Sequence, residues 1–375
     1  MIFQSVEFIR LQLPFNNGFE HARAARAVGD SILVKLTTDS GVHGWGEILP
    51  RAYVTGETVD AILDEASSEA VELARSLSSL HIVNQGELEH WIDQQLPRYQ
   101  YHTALFGGVE MAMWDALNQS HGVDWDQAIG PVNQRPLGRC VTIGFDAATE
   151  KLRARAIDAT LKKATVVKLK IGLDDDIDRI KLLDKHLNGK VPIRVDANGL
   201  LDVDRVKLLL QACAGSTALQ SIEQPFSHSD QSYADTQQSL FSQFNIPFAA
   251  DESVCSIEDA LEWHKNGGFQ IYNLRIGKHG GMRATRIIRD HANANGIGLV
   301  SGSMVGETGV LTQASELLLT RSTGFDYVEG LGQNRHFLAI DPVERVEVEG
   351  PLQSFKMKQQ AITELVHSSR ILLCD

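Results

Sequence analysis

The first 60 residues alternate between apolar and polar side chains in three short stretches. These stretches cover residues 2–13, 31–36 and 42–47, and a turn signal, Asp39-Ser40-Gly41, separates the last two. Successive side chains of a strand point to opposite faces, so this pattern predicts a small antiparallel sheet. Residues 14–29 and 49–58 lack the pattern and are predicted to be irregular loops. Residues 58–120 change to helical spacing, with Trp114 in the core.

Short apolar runs recur from residue 140 onwards, and each ends on a polar residue about one helix before the next run. The first predicted strand is 140–145 and the eighth is 325–330. The polar residues that end the strands between them are Lys170, Asp196, Glu223, Asp251, Arg275 and Ser301. This rhythm predicts an α/β protein with a (β/α)8-type barrel, whose chemistry gathers at the carboxyl ends of the strands. We expect an N-terminal α+β capping domain in 1–130, the barrel in 131–334, and a tail in 335–375 that returns to the cap.

Three carboxylates stand at the ends of three consecutive predicted strands, namely Asp196, Glu223 and Asp251. Each one alone is explained as a helix N-cap or a surface acid. Together at one rim they would repel one another unless a hard divalent cation neutralised them. Oxygen-only ligands favour Mg²⁺, with Mn²⁺ as the alternative. The sequence therefore predicts a metal site here.

Two lysines, Lys168 and Lys170, lie on the strand before these carboxylates and point the same way because they are two residues apart. Structural ion pairs with the carboxylates are one explanation of the pair. Catalysis is another, because burial and a second cation bring the pKa of a lysine down towards that of a general base. Lys170 is nearer the rim and is the better candidate base, with Lys168 as the second cation.

The order Lys-x-Lys, Asp, Glu, Asp on successive strands behind an α+β cap resembles the enolase superfamily, and most closely its muconate-cycloisomerase and mandelate-racemase-like branches. The resemblance covers essentially the whole chain. It implies removal of a proton α to a substrate carboxylate, assisted by Mg²⁺ through a metal-stabilised enediolate. By position, the three carboxylates would be the ligands and Lys170 the base. The resemblance also implies a homo-oligomer, and it implies that 14–29 and 49–58 cover the substrate.

One position departs from the family pattern. Members similar to muconate cycloisomerase carry a second catalytic lysine at the end of strand six, where this chain has Arg275. Arginine stays protonated, so it is a poor base and a good fixed cation beside a developing anion. A one-base β-elimination or cycloisomerisation is therefore favoured.

Three alternatives stay open. The chain could be a racemase or epimerase of an N-acyl amino acid, dipeptide or related carboxylate, with Arg275 as an unusual acid. Lys278 could serve as a substitute base, although we expect it to lie past the rim, and His279 is expected to start a helix. A non-catalytic barrel that binds a carboxylate is the alternative of another class, and the complete set of lysines and carboxylates disfavours it.

Composition narrows the range of partners. A net charge of −13 without a basic cluster argues against nucleic acid, and no apolar run is long enough for a membrane span. Four scattered cysteines with no CxxC pair predict a reduced, cytoplasmic protein. The expected partner, as the resemblance implies, is a small-molecule carboxylate. Its candidate contacts, in the loops and at the strand ends, are His21, Arg23, Arg51, Tyr53, Ser303 and Glu329.

Overall fold

The computed structural model describes residues 1–21, 24–64, 66–78, 80–133, 137–145, 149–214, 218–228, 231–344 and 354–374, with side chains left out for 17–21, 24–27 and 231. The strands are β1 (Phe3–His21), β2 (Ala24–Thr38), β3 (His43–Ile48), β4 (Gly138–Ile143), β5 (Val166–Lys170), β6 (Ile193–Asp196), β7 (Leu219–Glu223), β8 (Phe248–Ala250), β9 (Ile271–Leu274), β10 (Gly298–Ser301), β11 (Phe325–Val328) and β12 (Val366–Leu373).

The longer helices are α2 (Ser68–Ser78), α3 (Gln85–Gln95), α4 (Thr103–His121), α6 (Thr149–Leu161), α7 (Asp176–Leu187), α8 (Val203–Cys213), α9 (Ala234–Phe244), α10 (Ile257–Asn266), α12 (Met282–Ala294) and α13 (Gly309–Thr320). The shorter ones are α1 (Val59–Leu63), α5 (Trp125–Ala128), α11 (Ile276–His279), α14 (Asn334–Phe337) and α15 (Gln359–Leu365), with a 3₁₀ turn at Gln231–Tyr233. No helix among the described residues is long and apolar enough to cross a bilayer.

Eight parallel strands close into a barrel in the order β10-β11-β4-β5-β6-β7-β8-β9. The predicted (β/α)8-type barrel with an N-terminal α+β cap is therefore confirmed. Strands β5 to β10 end on the predicted polar residue or one residue before it. The first strand starts and ends two residues earlier than predicted, and the last strand ends at Val328, directly before Glu329. Apolar runs locate buried strands well, since both faces of such strands are covered.

The cap is a four-stranded antiparallel sheet in the order β12-β1-β2-β3, packed against α4. The prediction that residues 14–29 form an irregular loop is wrong, because β1 and β2 run through most of this stretch. Pro14 pairs with Val28, the register then shifts, and pairing resumes at Phe19 with Arg26. An irregularity of this kind lets a ribbon continue past a proline, which has no N–H to donate. The second predicted loop, 49–58, is irregular as expected.

Glycines allow α4 to lie directly on β3. A Cβ atom at Gly46 would come within 1.9 Å of the carbonyl oxygen of Gly108, and one at Gly44 within 2.0 Å of that of Ala112. Any side chain at these two positions would push the helix off the sheet. Trp114 on the same helix is buried, as predicted.

Two buried carboxylates of the cap bind the amino ends of barrel helices. Glu47 on β3 accepts hydrogen bonds from the N–H groups of Thr308 and Leu311 at the start of α13, at 3.0 and 3.2 Å. Glu110 on α4 accepts from the N–H of Met282, at 3.0 Å, at the start of α12. Helix amino ends carry unpaired N–H groups and partial positive charge, so these contacts fix the cap over the barrel.

Candidate active site

The register of the barrel brings the predicted residues to one level of its carboxyl rim. Lys170 on β5 pairs in register with Asp196 on β6, and Asp196 pairs with Glu223 on β7. Asp251 and Arg275 directly follow β8 and β9. Parallel strands in register align their ends, so residues distant in sequence converge at one edge.

Lys168 is buried among three carboxylates. Its Nζ lies 3.1 Å from Asp196, 2.9 Å from Glu223 and 3.0 Å from Glu329. Burial alone would lower the pKa of Lys168, but these three negative charges hold it well above its usual value. Burial would likewise raise the pKa of Asp196, yet Lys168 and Lys170 keep it below its usual range. Lys168 is therefore a fixed cation in this arrangement.

Lys170 has fewer partners and faces open space. Its Nζ lies 2.8 Å from Asn198 Oδ1 and 3.3 Å from Asp196 Oδ2, and its side chain is 12% exposed. It lines the cavity above the strand ends. Lys168 also borders this cavity but is 5% exposed and held by three carboxylates, so Lys170 is the more accessible of the two lysines.

Sequence reasoning missed Arg194, which lies two residues before Asp196 and is fully buried. Its guanidinium donates to Glu223 at 2.9 Å, pairs with Glu329, and stacks 4.7 Å over the ring of Tyr327. Its spacing from Asp196 repeats the two-residue spacing of the lysine pair, and this signal could have identified it. Because Glu329 pairs with both Lys168 and Arg194, its pKa is lowered despite its burial.

Asp251 is held by two cations from one short segment. Arg275 pairs with Asp251 Oδ2, and Lys278 Nζ donates to Oδ1 at 3.0 Å. Burial alone would lower the pKa of Arg275, but Asp251 and Glu223 hold it above its usual value. The expectation that Lys278 lies past the rim is wrong, because its side chain is fully buried beside Asp251. His279 ends α11 instead of starting a helix, and it is also buried.

A cavity of about 430 Å³ lies over these strand ends and is covered by residues of the 49–58 loop. Several predicted residues line it: Lys168, Lys170, Asp196, Asp251, Arg275, Arg51, Tyr53, Ser303 and Glu329. Glu223 does not, and it is fully buried beneath them. The side chain of His21 and all of Arg23 lie outside the described residues.

The two predicted polar contacts Arg51 and Ser303 also hold the walls of the cavity. The guanidinium of Arg51 donates to the carbonyl oxygens of Pro50 and Val305, each at 2.8 Å. This ties the 49–58 loop of the cap to the loop after β10. Ser303 Oγ accepts a hydrogen bond of 2.7 Å from Gln333. Both side chains border the cavity, so a role in shaping it and a role in binding substrate are compatible.

Glu252, next to Asp251, is a further buried acid that the sequence did not single out. Its Oε1 accepts from Asn198 Nδ2 at 3.2 Å, while Oε2 is buried and has no hydrogen-bond partner within the described parts of the chain. Burial, together with the charges of Asp251 and Asp196, raises the pKa of Glu252 to about 8. It borders both the main cavity and a second cavity of about 470 Å³ between cap and barrel, which none of the predicted site residues lines. Those predicted site residues that line either cavity therefore border the one of about 430 Å³ and not the second one.

The donor set fits a hard divalent cation in its chemistry, because Asp196, Glu223 and Asp251 offer only carboxylate oxygens from adjacent strands. Asp196 and Glu223 meet at the ammonium of Lys168. Asp251 is turned towards Arg275 and Lys278. No three acidic, histidine or cysteine side chains within the described parts of the chain are arranged to hold a metal as they stand. The residues match Mg²⁺ in type, and their oxygens are engaged by the site's own cations.

Comparisons with known proteins agree with this architecture. A family model described as "Enolase C-terminal domain-like" matches residues 151–354. The chain is 30% identical over 332 residues to an aromatic dipeptide epimerase of Herpetosiphon aurantiacus, covering 87% of this chain and 88% of that protein. It is 28% identical over 301 residues to muconate cycloisomerase 1 of Pseudomonas putida, covering 77% and 76%.

Among solved structures, a dipeptide epimerase of Enterococcus faecalis, complexed with Mg and the dipeptide L-Leu-L-Tyr, matches with a TM-score of 0.78. The match covers 96% of this chain and 98% of that chain at 22% identity, and at that identity it shows the fold alone.

Proposed function

The chain belongs to the family of enolase C-terminal domain-like proteins, and from this premise we propose that it removes a proton α to the carboxylate of a small substrate, with Mg²⁺ as its cofactor. One observation carries the proposal. Of the two lysines on β5, Lys168 is paired with three carboxylates and is 5% exposed, whereas Lys170 is paired with one, is 12% exposed and lines the cavity. This division of roles is the one that a general base and its supporting cation require.

Lys170 is the proposed base. Lys168 keeps its proton because three carboxylates surround it, so it cannot accept the substrate proton. Its positive charge lies on the same face of β5 as Lys170, because the two residues are two apart on the strand. Asn198 Oδ1 accepts from Lys170 Nζ and holds that nitrogen at the edge of the cavity.

Asp196, Glu223 and Asp251 are the proposed ligands of the metal. Members of the family bind Mg²⁺, and the dipeptide epimerase of Enterococcus faecalis was solved with Mg. When bound, the ion would neutralise the negative charge that builds on the substrate carboxylate as the α-proton leaves. The three side chains would contribute three negative charges, which Lys168 and Arg275 partly offset in the present arrangement.

Arg275 separates two candidate outcomes. As a permanently protonated side chain paired with Asp251, it can stabilise an anion or a leaving group but cannot take a proton from the second face of the α-carbon. This favours one-base β-elimination or cycloisomerisation. Epimerisation of a dipeptide or related carboxylate is the second candidate, and the 30% identity to an aromatic dipeptide epimerase supports it.

Deuterium uptake from D₂O tests the proposal. The protein would be incubated with pools of dipeptides, N-acyl amino acids, acid sugars that carry a β-hydroxyl group, and unsaturated diacids. Each pool would be run with Mg²⁺ or with a chelator, and the products followed by mass spectrometry and chiral chromatography. We expect Mg²⁺-dependent chemistry in at least one pool. Loss of water or formation of a lactone identifies the one-base outcome, and deuterated product of inverted configuration identifies the epimerase. Uptake that is equal with the chelator contradicts the role of the metal.

A further inference from the structure

Lys278 is a fully buried lysine that the proposed reaction does not use. Its Nζ donates to three acceptors: Asp251 Oδ1 at 3.0 Å, the carbonyl oxygen of Asp251 at 2.6 Å, and that of Asn273 at 2.9 Å. An ammonium group has three N–H donors, so all of them are used. With no donor left over and no exposed surface, Lys278 cannot meet a substrate.

Lys278 and Arg275 approach Asp251 from different sides. Arg275 lines the cavity and is 15% exposed, whereas Lys278 is not among the residues that line the cavity and is 0% exposed. Arg275 contacts Oδ2 and Lys278 contacts Oδ1. Oδ1 of Asp251 is therefore held by a side chain outside the cavity, and Oδ2 is paired with a side chain that lines the cavity.

The same ammonium joins two strand ends. It binds the backbone of Asp251 after β8 and the backbone of Asn273 in β9. The side-chain amide of Asn273 donates to Glu223 Oε1 at 2.9 Å. Lys278 thus contacts Asp251, one proposed metal ligand, directly. It also binds the backbone of Asn273, whose side chain donates to Glu223, another proposed ligand.

We propose that Lys278 is a positioning residue that fixes the carboxylate of Asp251, so that Oδ2 stays directed at the cavity for the metal. The proposal rests on the proposed function, because it takes Asp251 to be a ligand. Groups that orient a ligand from outside the coordination sphere commonly change metal affinity by about 10- to 100-fold when they are removed.

If Lys278 acted only through its charge, its removal would change the metal affinity in the opposite direction. Lys278 is a positive charge next to a site for a cation, and removing a like charge by itself makes cation binding tighter. If Lys278 only balanced the charge of Asp251, Lys278→Met would bind the metal more tightly and Lys278→Arg would match the wild type. If Lys278 positions Asp251, both variants bind more weakly, since the planar fork of arginine cannot reach the same three acceptors.

Mn²⁺ titration followed by electron paramagnetic resonance of the free ion gives the affinity without any substrate. We expect Lys278→Met to weaken binding by about 10- to 100-fold and Lys278→Arg to weaken it to a smaller extent. Lys265→Met, which removes an exposed lysine on α10, should leave the affinity unchanged. If Lys278→Met does not fold, Lys278→Arg decides alone, because charge balance predicts wild-type affinity for it.

Affinity equal to or tighter than wild type in the Lys278 variants overturns the positioning role. Asp251→Asn separates this failure from failure of the proposed function. If Asp251→Asn binds Mn²⁺ as well as the wild type, Asp251 is not a ligand, and the proposed metal site falls together with the role of Lys278. If Asp251→Asn loses binding while Lys278→Met does not, only the positioning role falls.

Discussion

Replacing Lys168 by methionine should destabilise the protein strongly in the absence of metal. The ammonium lies within 3.1 Å of three carboxylates, those of Asp196, Glu223 and Glu329, and all of them are buried. Without it, Arg194 and Lys170 are the cations that remain in ion pairs with these three carboxylates among the described residues. Removing one partner of a buried ion pair costs about 3–5 kcal/mol.

Because Lys168 pairs with three carboxylates, we expect the loss of unfolding free energy to lie near the upper end of that range. Proton uptake by one of these carboxylates would reduce the loss. Burial already raises the pKa of Glu223, so this carboxyl is the one that takes up a proton most readily in the variant. We therefore expect the free energy of unfolding to fall by about 4 kcal/mol at neutral pH.

Metal should restore more stability to Lys168→Met than to the wild type. A ligand that binds only the folded state adds about 2.7 kcal/mol when its concentration is 100 times its Kd. The variant has lost the ammonium that contacts Asp196 and Glu223 in the present arrangement, so a divalent cation meets less repulsion there. Urea unfolding with a chelator and with Mg²⁺ measures both effects, and Lys265→Met is the matched control. A loss below about 1 kcal/mol, or equal stabilisation of both proteins by Mg²⁺, would refute the reasoning.

Two further predictions address the reaction and the pH dependence of stability. Arg275→Lys places a group that can lose its proton beside Asp251, so the variant should add proton exchange on the second face of the α-carbon. Chiral chromatography detects the epimer that this exchange produces. Wild-type protein that already epimerises its substrate contradicts the one-base reaction. Asp115 is a buried acid whose pKa is raised to about 7 by burial. Its native form therefore binds a proton more tightly than the unfolded chain, and the free energy of unfolding falls as pH rises from about 4 to about 7, by up to about 1.4 kcal/mol per pH unit from this group. Asp115→Asn should show a shallower pH dependence in urea titrations, and an unchanged slope contradicts the assignment.

The barrel could be predicted because its strands are buried on both faces and end on polar residues. A run such as Val166 to Lys170 needs no knowledge of its neighbours to be identified as a strand. The pairing of Asp196 with Glu223 could be predicted because both residues end neighbouring parallel strands. Strand order in a barrel fixes which ends are adjacent, and this made the site predictable.

The parts that were missed depend on contacts between distant segments. Arg194 was hidden in an apolar run, and only the closed barrel brings it to Glu329, 135 residues away. Lys278 was expected outside the site because it follows the end of β9 by several residues. Its position in the short helix α11 instead brings its ammonium into contact with Asp251. The continuation of β1 past Pro14 was missed because proline and glycine are typical of loops, and pairing across the register shift is not visible in the sequence.

The most direct test of the account is the effect of Lys170→Met on deuterium exchange. The substrate would be one that the wild type deuterates with Mg²⁺, and Mn²⁺ affinity would be measured in parallel to show that the metal site is intact. General acid–base catalysis contributes about 100- to 10,000-fold, so we predict that the exchange rate falls by a factor in this range while Lys265→Met keeps the wild-type rate. An exchange rate in Lys170→Met within about twofold of the wild type would contradict Lys170 as the base.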